Sequence, residues 1–362
     1  MYKVLHIMNG ADSGGISAVV KNYYSFLDRN EVKFDIAITD SKIGNNGKCL
    51  QSLGCSVFFL PAGRLHKISY IKTIISILKE GNYDCIHVHL NESSFYALFA
   101  GVIAKTPKRI CHAHVKREPL TFSTLIRRSI SRSLNTALST DLIACSLEAG
   151  KYMYGKNTAK NIKVLNNAID FQKFSFDANV RSKIRDEFNL SNKLVIGNVA
   201  NLVYQKNHEF LINVFKKISD KCDNAVLVIV GSGQLEKKLK TQCEELNISE
   251  KVVFTGRRED VGAMYQAFDV FALTSHFEGF GIVVIEALVS GLKAVVSEQV
   301  AQFFPNGYVS SVSIYDDTIE EWCDKLLNSV VKEDHRSMVS VNGLEKFDIR
   351  KEAITLQELY LN

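Results

Sequence analysis

The chain has 362 residues, enough for two domains of ordinary size, each with a core of its own. Hydrophobic residues make up 46% and charged residues 23%, a globular composition that excludes disordered, collagen-like and coiled-coil chains. The net charge of +5 hides an asymmetry: residues 1–170 carry 22 Lys and Arg against 12 Asp and Glu, while residues 171–362 carry 22 against 27, so the excess cations of the first half point to an anionic partner.

In chain order, Lys3–Met8 reads as a strand, too short and too soon followed by Asp12 to be a signal peptide. Further strands are expected at Lys33–Thr39, Ser56–Pro61, Cys85–His89, Arg109–His114, Leu142–Cys145 and Lys163–Leu165, with helical spacing between them at Ser17–Leu27, Ile68–Lys79 and Ser93–Ala104. The longest apolar run, Phe95–Ala104, is about half a bilayer crossing. The polar segment Asp170–Asn192 is expected to hold a join. Beyond it, strands are expected at Leu194–Val199, Ala225–Val230, Val252–Thr255, Val270–Leu273 and Ala294–Ser297, and helices near Asn207–Ile218, Leu235–Leu246, Val261–Ala267, Ile282–Ser290 and Ile319–Val331. Apolar strands alternating with helices argue for parallel sheets covered on both faces. The expected fold class is α/β, with two doubly wound Rossmann-like domains over residues 1–170 and 171–345, and a C-terminal helix over 346–362 packing back toward the first. The eight cysteines form no C-x-x-C pair and several sit in apolar runs, which reads as packed, reduced thiols in a cytosolic protein.

Ligands of open parallel sheets bind beyond the C-terminal ends of the strands, so the loops there carry the candidate chemistry. Ser275–Ala287 follows a strand and opens a helix through Gly279, Phe280 and Gly281, and the amides of Phe280, Gly281, Ile282 and Val283 are candidates to meet an anion. Glu278 and Glu286 flank that turn and could grip two parts of one ligand; a helix cap plus a solvated glutamate is the plainer alternative. Lys206 lies in the loop after Leu194–Val199 beside a helix start, where an ammonium can meet an anion and a solvated surface lysine is the plainer reading. Gly14 and Gly15 after the first strand allow close backbone approach, and Gly231 belongs to a lone G-x-G that reads as a packing turn near a nucleotide. His87/His89 and His112/His114 form two H-x-H pairs, each with both members on one strand face. Four histidines together could bind a metal, but no acidic or thiol partner has ligand spacing, so no metal is expected. Lys116, Arg117, Arg127, Arg128 and Arg132 are interleaved with apolar residues at helical spacing. A basic amphipathic helix of that kind suits an anionic membrane, a solvated face over a core-packed helix is the alternative, and no nucleic-acid motif accompanies it.

The segment "FEGFGIVVIEALVSGLKAVVSE" resembles the E-x7-E signature of retaining glycosyltransferases of the GT-B fold, in the large family four. "NGADSGGISAVVKNYY", "RICHAHV", "LIACSLEAGKYMYG", "VLNNAIDFQKF", "QKNHEFLINVF", "VIVGSGQLEKKL" and "VVFTGRREDVGAMYQAFDVFALTSHFEG" are similar to further family motifs in the same order. The nearest likeness is to bacterial enzymes of capsule, exopolysaccharide and O-antigen assembly. The resemblance implies two Rossmann-like domains facing a cleft, the second holding a nucleotide-sugar donor and the basic first one an acceptor, either lipid-linked or saccharide. It implies Glu286 on ribose hydroxyls, Glu278 on donor-sugar hydroxyls, Lys206 on the diphosphate, His114 at the transferred sugar or acceptor, and Asn201 and Arg257 beside the donor. Where similar enzymes carry an arginine five residues before the lysine, this chain has Asn201, an amide without the charge or the bidentate fork. It further implies hexosyl or N-acetylhexosaminyl transfer from a UDP-sugar, with retention and with no cofactor or divalent metal, in keeping with a sequence that lacks a D-x-D metal motif. The expected place is the cytoplasmic face of a bacterial membrane, held peripherally. A GT-B epimerase and a non-catalytic nucleotide-sugar-binding subunit are the alternatives.

Overall fold

The computed structural model describes residues 1–12, 15–63, 66–114, 122–278, 280–301, 304, 309–336 and 343–362, with the backbone alone for 122–127, 157, 159 and 160. Two compact units emerge, Met1–Ala168 with Lys346–Asn362, and Ile169–Glu345. The first contains β1 (Tyr2–Met8), α1 (Gly15–Phe26), β2 (Val32–Ile38), α2 (Asn45–Ser52), β3 (Val57–Phe59), α3 (Lys67–Gly81), β4 (Cys85–Val88), α4 (Ser94–Ala104), β5 (Lys108–Ala113), α5 (Phe122–Leu138), β6 (Asp141–Ala144), α6 (Leu147–Tyr154) and β7 (Ile162–Val164). The second contains α7 (Phe171–Phe174), α8 (Ala178–Glu187), β8 (Leu194–Val199), α9 (His208–Lys221), β9 (Ala225–Val230), α10 (Glu236–Glu245), β10 (Val252–Gly256), α11 (Val261–Ala267), β11 (Val270–Leu273), α12 (Ile282–Val289), β12 (Ala294–Ser297), α13 (Glu298–Ala301), β13 (Val309–Val312), α14 (Ile319–Asn328) and α15 (Glu333–Arg336). The last helix, α16 (Ile349–Leu361), belongs to the first unit.

The strands pair in parallel, in the orders β3-β2-β1-β4-β5-β6-β7 and β10-β9-β8-β11-β12-β13. Both sheets are doubly wound and reverse their strand order at one place, between β1 and β4 in the first and between β8 and β11 in the second. Crevices at such reversals are the standing ligand sites of open α/β sheets. Central strands such as Ala225–Val230, sequence AVLVIV, are buried at every position because helices cover both faces. Edge strand β13, sequence VSSV, buries only Val312, and its serines hide it from a search for apolar runs.

The first core joins Tyr23, Tyr24, Phe34 and Ile110 to Ile349, Leu356 and Tyr360 of α16. Glu352 fixes that helix by accepting the Asn166 N–H at 2.9 Å and the Tyr23 hydroxyl at 3.4 Å. The second core centres on Phe215, Leu227, Ile229 and Trp322. The polar segment 170–192, expected to hold the join, instead folds as α7 and α8 within the second unit, and the division falls between Ala168 and Ile169. Its polarity has a buried use. Arg181 donates to Asp269 at 2.6 Å and Arg185 to the same carboxylate at 3.3 Å, while Asp269 also accepts the Val195 N–H at 2.8 Å. A buried charge group of this kind is tolerated only when its hydrogen-bonding capacity is met.

Candidate active site

The reversal between β8 and β11 gathers the second unit's candidate chemistry. The loop after β8 leads into a short turn, Tyr204–Lys206, and the loop after β11 runs through Ser275 to Glu278. Four contacts tie these loops together. The Thr274 hydroxyl donates to the carbonyls of Lys206 at 3.2 Å and Asn207 at 3.0 Å. The His276 N–H reaches the Gln205 carbonyl at 2.9 Å, and the Gln205 amide returns a bond to the Phe277 carbonyl at 2.9 Å. Thus clasped, the loops bring the Lys206 ammonium onto the Glu278 carboxylate as an ion pair, with side-chain exposures of 17% and 8%. The Ser275 hydroxyl donates to the same Glu278 oxygen at 2.7 Å. Below the pair, Asn198 of β8 donates to the Ala272 carbonyl at 2.8 Å and meets the His208 ring at 3.1 Å. Burial, and secondarily the Lys206 charge, lowers His208 to about 4, so this brace is neutral at neutral pH.

Glu286 lies one turn into α12. The buried Tyr265 of α11 donates to its carboxylate at 2.7 Å and to the Val283 carbonyl at 3.1 Å. Burial and then the Glu286 charge push the Tyr265 phenol well above its ordinary value, so it stays a donor. Gly281 starts α12 in the left-handed region, with φ +80, where a side chain would be strained. Ile282 and Val283 form the first turn, and Phe280 packs into the interior against Phe304. Gly231 has φ +144 and a Cβ there would come 2.0 Å from the Ala200 carbonyl, so this turn is glycine because two loops touch. Asn201 follows that contact and is exposed; Arg257 is exposed in the turn after β10, the edge strand. Gly279 and Gly14 lie outside the described residues, and Gly15 opens α1 with free space around it.

The reversal in the first unit is filled differently. His6 of β1 pairs in register with His87 of β4, and His87 with Ile110 of β5, so His6, His87, His89, His112 and His114 project from one sheet face. All five are buried. His87, His89 and His112 are therefore core residues of a sheet face, joined by His6. Ring nitrogens bond between His6 and His89 at 2.9 Å, His89 and His114 at 2.7 Å, and His87 and His112 at 3.1 Å, and His87 meets the Tyr360 hydroxyl at 2.6 Å. Burial lowers every one of these rings, His6 and His114 to about 3, and the neighbouring imidazoles add to the fall at the other three. The set is uncharged at neutral pH.

Of the basic stretch, Lys116 and Arg117 lie outside the described residues, as does the side chain of Arg127. Arg128 and Arg132, expected on a membrane-facing surface, are half-buried. Both turn inward, donating to the Tyr152 carbonyl at 3.0 and 3.1 Å, and Arg128 covers the Tyr152 ring at 3.6 Å. They hold α5 against the end of α6, where a helix leaves carbonyls without intrahelical partners. The exposed residues nearby include the apolar Phe99, Val102 and Ile103 on α4 and Ile130 and Leu134 on α5, the last two beside exposed Ser129 and Ser133. Among the described residues no helix is long and apolar enough to cross a membrane.

Sequence reasoning missed Tyr265, Ser275, Gln205 and His6 as members of these groups. Only His6 left a signal, a histidine in an otherwise apolar strand.

Residues 13–173 match the family model for Glycosyltransferase Family 4, and residues 180–332 that for Glycosyl transferases group 1. An Escherichia coli relative, UDP-Gal:alpha-D-GlcNAc-diphosphoundecaprenol alpha-1,3-galactosyltransferase, is 25% identical over 99% of this chain and 97% of its own. The Staphylococcus aureus capsular polysaccharide biosynthesis glycosyltransferase CapH is 22% identical over 100% of this chain and 99% of its own. The crystal structure of Anabaena HepE in complex with UDP has a TM-score of 0.81 at 19% identity, covering 99% of each chain, a likeness of fold. With one glycosyltransferase model on each of its two parallel-sheet units, the chain belongs to the family-four glycosyltransferases of the GT-B fold.

Proposed function

We propose that the protein transfers a sugar from a UDP-sugar to a lipid-linked or saccharide acceptor during assembly of a bacterial surface polysaccharide, with retention at the anomeric carbon and without a metal ion. The observation that carries this reading is the clasped pair of loops at the β8/β11 reversal, which holds one cation and one carboxylate where a nucleotide-sugar would lie. Lys206 turns from Glu278 to the diphosphate, Glu278 takes hydroxyls of the donor sugar, and Glu286, oriented by Tyr265, takes the ribose. The α12 amides and Lys206 stabilise the charge that builds on the leaving group. The bond between the anomeric carbon and the diphosphate breaks as the acceptor oxygen bonds to that carbon on the same face, and the acceptor proton passes to the leaving phosphate. His114 and the first unit serve the acceptor. UDP as the donor nucleotide is supported by the Escherichia coli galactosyltransferase and the Anabaena complex with UDP, and polysaccharide assembly by the likeness to CapH.

The chain acts at the cytoplasmic face of the membrane, held peripherally by the first unit through the apolar residues of α4 and α5 together with its excess cations. Binding to anionic vesicles should weaken with salt, and absent or salt-insensitive binding would remove the membrane from this reading. The donor half is tested by thermal shift against UDP, GDP, ADP and dTDP, since a bound nucleotide raises the melting temperature by mass action. Selective stabilisation by UDP is expected. Glu278→Ala should then abolish transfer with the fold intact, and a wild-type rate would remove Glu278 from the site.

A further inference from the structure

Five histidines occupy a sheet face whose other positions, such as Val4, Cys85 and Ile110, are apolar. Their rings form two chains. One runs His6 Nδ1 to His89 Nε2 and His89 Nδ1 to His114 Nε2. The other runs from the Tyr360 hydroxyl to His87 Nδ1 and from His87 Nε2 to His112 Nδ1. A neutral imidazole has one N–H and one bare nitrogen, and each ring-to-ring bond uses one of each. His89 commits both nitrogens, so its two bonds must run in the same direction, and the protons on His6, His89 and His114 move together or not at all.

A buried end selects the direction of the first chain. His6 Nε2 and His112 Nε2 are sealed from solvent with no partner among the described residues. In the first chain a proton on His6 Nε2 would be sealed and orphaned, whereas His114 Nδ1 is not among the sealed atoms, so His6 Nε2 is left bare and its proton sits on Nδ1. From His6 the order follows: its Nδ1–H donates to His89, the His89 Nδ1–H donates to His114 Nε2, and His114 carries its own proton on Nδ1, which has no partner among the described residues. The second chain has no such preference, because a His87 proton donated to the Tyr360 oxygen would leave the buried Tyr360 O–H as the orphan in place of a His112 N–H. His6, His89 and His114 thus hold the Nδ1–H form, the one that free histidine side chains favour less in water. A metal explains the cluster less well. Ring nitrogens of His6, His87 and His89, and of His89, His112 and His114, lie within 4.8 Å of one another. Most of those nitrogens are already committed to hydrogen bonds, and among the described residues no carboxylate or thiolate joins either group to offset a buried dication.

We propose that His6 and His89 are positioning residues that lock His114 in the Nδ1–H tautomer, so that His114 meets a ligand oxygen as a hydrogen-bond donor and not as a proton acceptor. The role at the ligand rests on the reading above that His114 serves the acceptor; the tautomer order does not.

Long-range proton–nitrogen NMR of the full chain labelled with 15N-histidine, at neutral pH and without donor or acceptor, reads each ring directly. The expected spectrum has a bare Nε2 and a protonated Nδ1 on His6, His89 and His114. A protonated Nε2 on His114, or values averaged between the two forms, overturns the lock. In His89→Asn the His114 nitrogens should move to averaged values while His87 and His112 keep theirs; an unchanged His114 overturns the assignment of the lock to His89. The wild-type spectrum decides the direction even if that variant does not fold. Stoichiometric uptake of Zn2+ by the wild-type protein with loss of the ring N–H signals overturns it in favour of a metal site. A correct spectrum combined with full transfer by His114→Ala would leave the lock in place and remove His114 from the acceptor site.

Discussion

At the strand reversal of the first unit, polar side chains stand on the strands themselves, five imidazoles from β1, β4 and β5 and the positions just past them. At the reversal of the second, they stand on loops beyond the strand ends, where Lys206 and Glu278 pair. Position along the strand decides which groups keep a charge. A side chain on a covered sheet face is desolvated on every side and survives only as a neutral, hydrogen-bonded group. A few residues farther on, part of the solvent shell remains and an ion pair is sustainable. The first arrangement suits a rigid floor that fixes one proton; the second suits groups that must change partners when an anion arrives.

Breaking the charged reversal should give the largest effect. Lys206→Ala is expected to lower kcat/KM for transfer about 1,000-fold, as for loss of a group that stabilises leaving-group charge. A fall under tenfold in steady-state assays would take Lys206 out of the chemistry. Acid should break the neutral reversal next. Folded His6 and His114 are lowered to about 3, well below the unfolded value, so between pH 6.5 and 3 the unfolded chain binds protons that the folded one refuses. Stability is therefore retained above about pH 6.5 and lost as pH falls, by about 1.4 kcal/mol per pH unit for each ring, or about 4 kcal/mol from these two at pH 5. The second unit has fewer such rings, with His208 the lowest. Hydrogen exchange at β1, β4 and β5 should accelerate at pH 5 before the fluorescence of Trp322 changes, and His6→Phe should make the loss shallower. Simultaneous transitions would erase the contrast.

Tyr265→Phe is milder. It removes one hydrogen bond to a carboxylate and should raise KM for the donor about tenfold with kcat nearly unchanged. Glu286→Gln in the same background should then add less than it does alone, and additive effects in the double-mutant cycle would separate the two residues. Arg132→Ala is expected to be smallest, about 1 kcal/mol of stability from one carbonyl contact, with vesicle binding unchanged. Reduced vesicle binding would return that arginine to the membrane face.

Much of the second site was legible because its residues follow one another closely. Glu278 and Glu286 flank a glycine turn after an apolar strand, and Lys206 opens a helix in the matching loop, so strand ends alone bring them to one place. Tyr265 was not legible. It reaches Glu286 by the packing of α11 on α12, and nothing in a helix sequence says which neighbour a tyrosine meets. The histidine pairs were visible, but His6 joined them only through the β1–β4 register, which pattern does not set. Arginine spacing on α5 suggested an exposed basic face, for an anionic membrane or for solvent, whereas Arg128 and Arg132 turn to a carbonyl of another helix, a destination that composition does not encode. The doubly wound sheets were readable because buried parallel strands are apolar throughout. Edge strand β13 was lost for the opposite reason.

The helix α16 carries a consequence for how the chain is made. It fills the first core, receives the Tyr23 hydroxyl and meets His87 through its Tyr360 hydroxyl, yet it is encoded after the whole of the second unit. The second unit is thus an insertion in the first. During synthesis, β1 to β7 must wait, with the inner face of their sheet partly uncovered, while the intervening segment emerges and folds. The order of completion runs against the order of translation, and the contacts that close the first unit are among the most distant in sequence that the molecule makes.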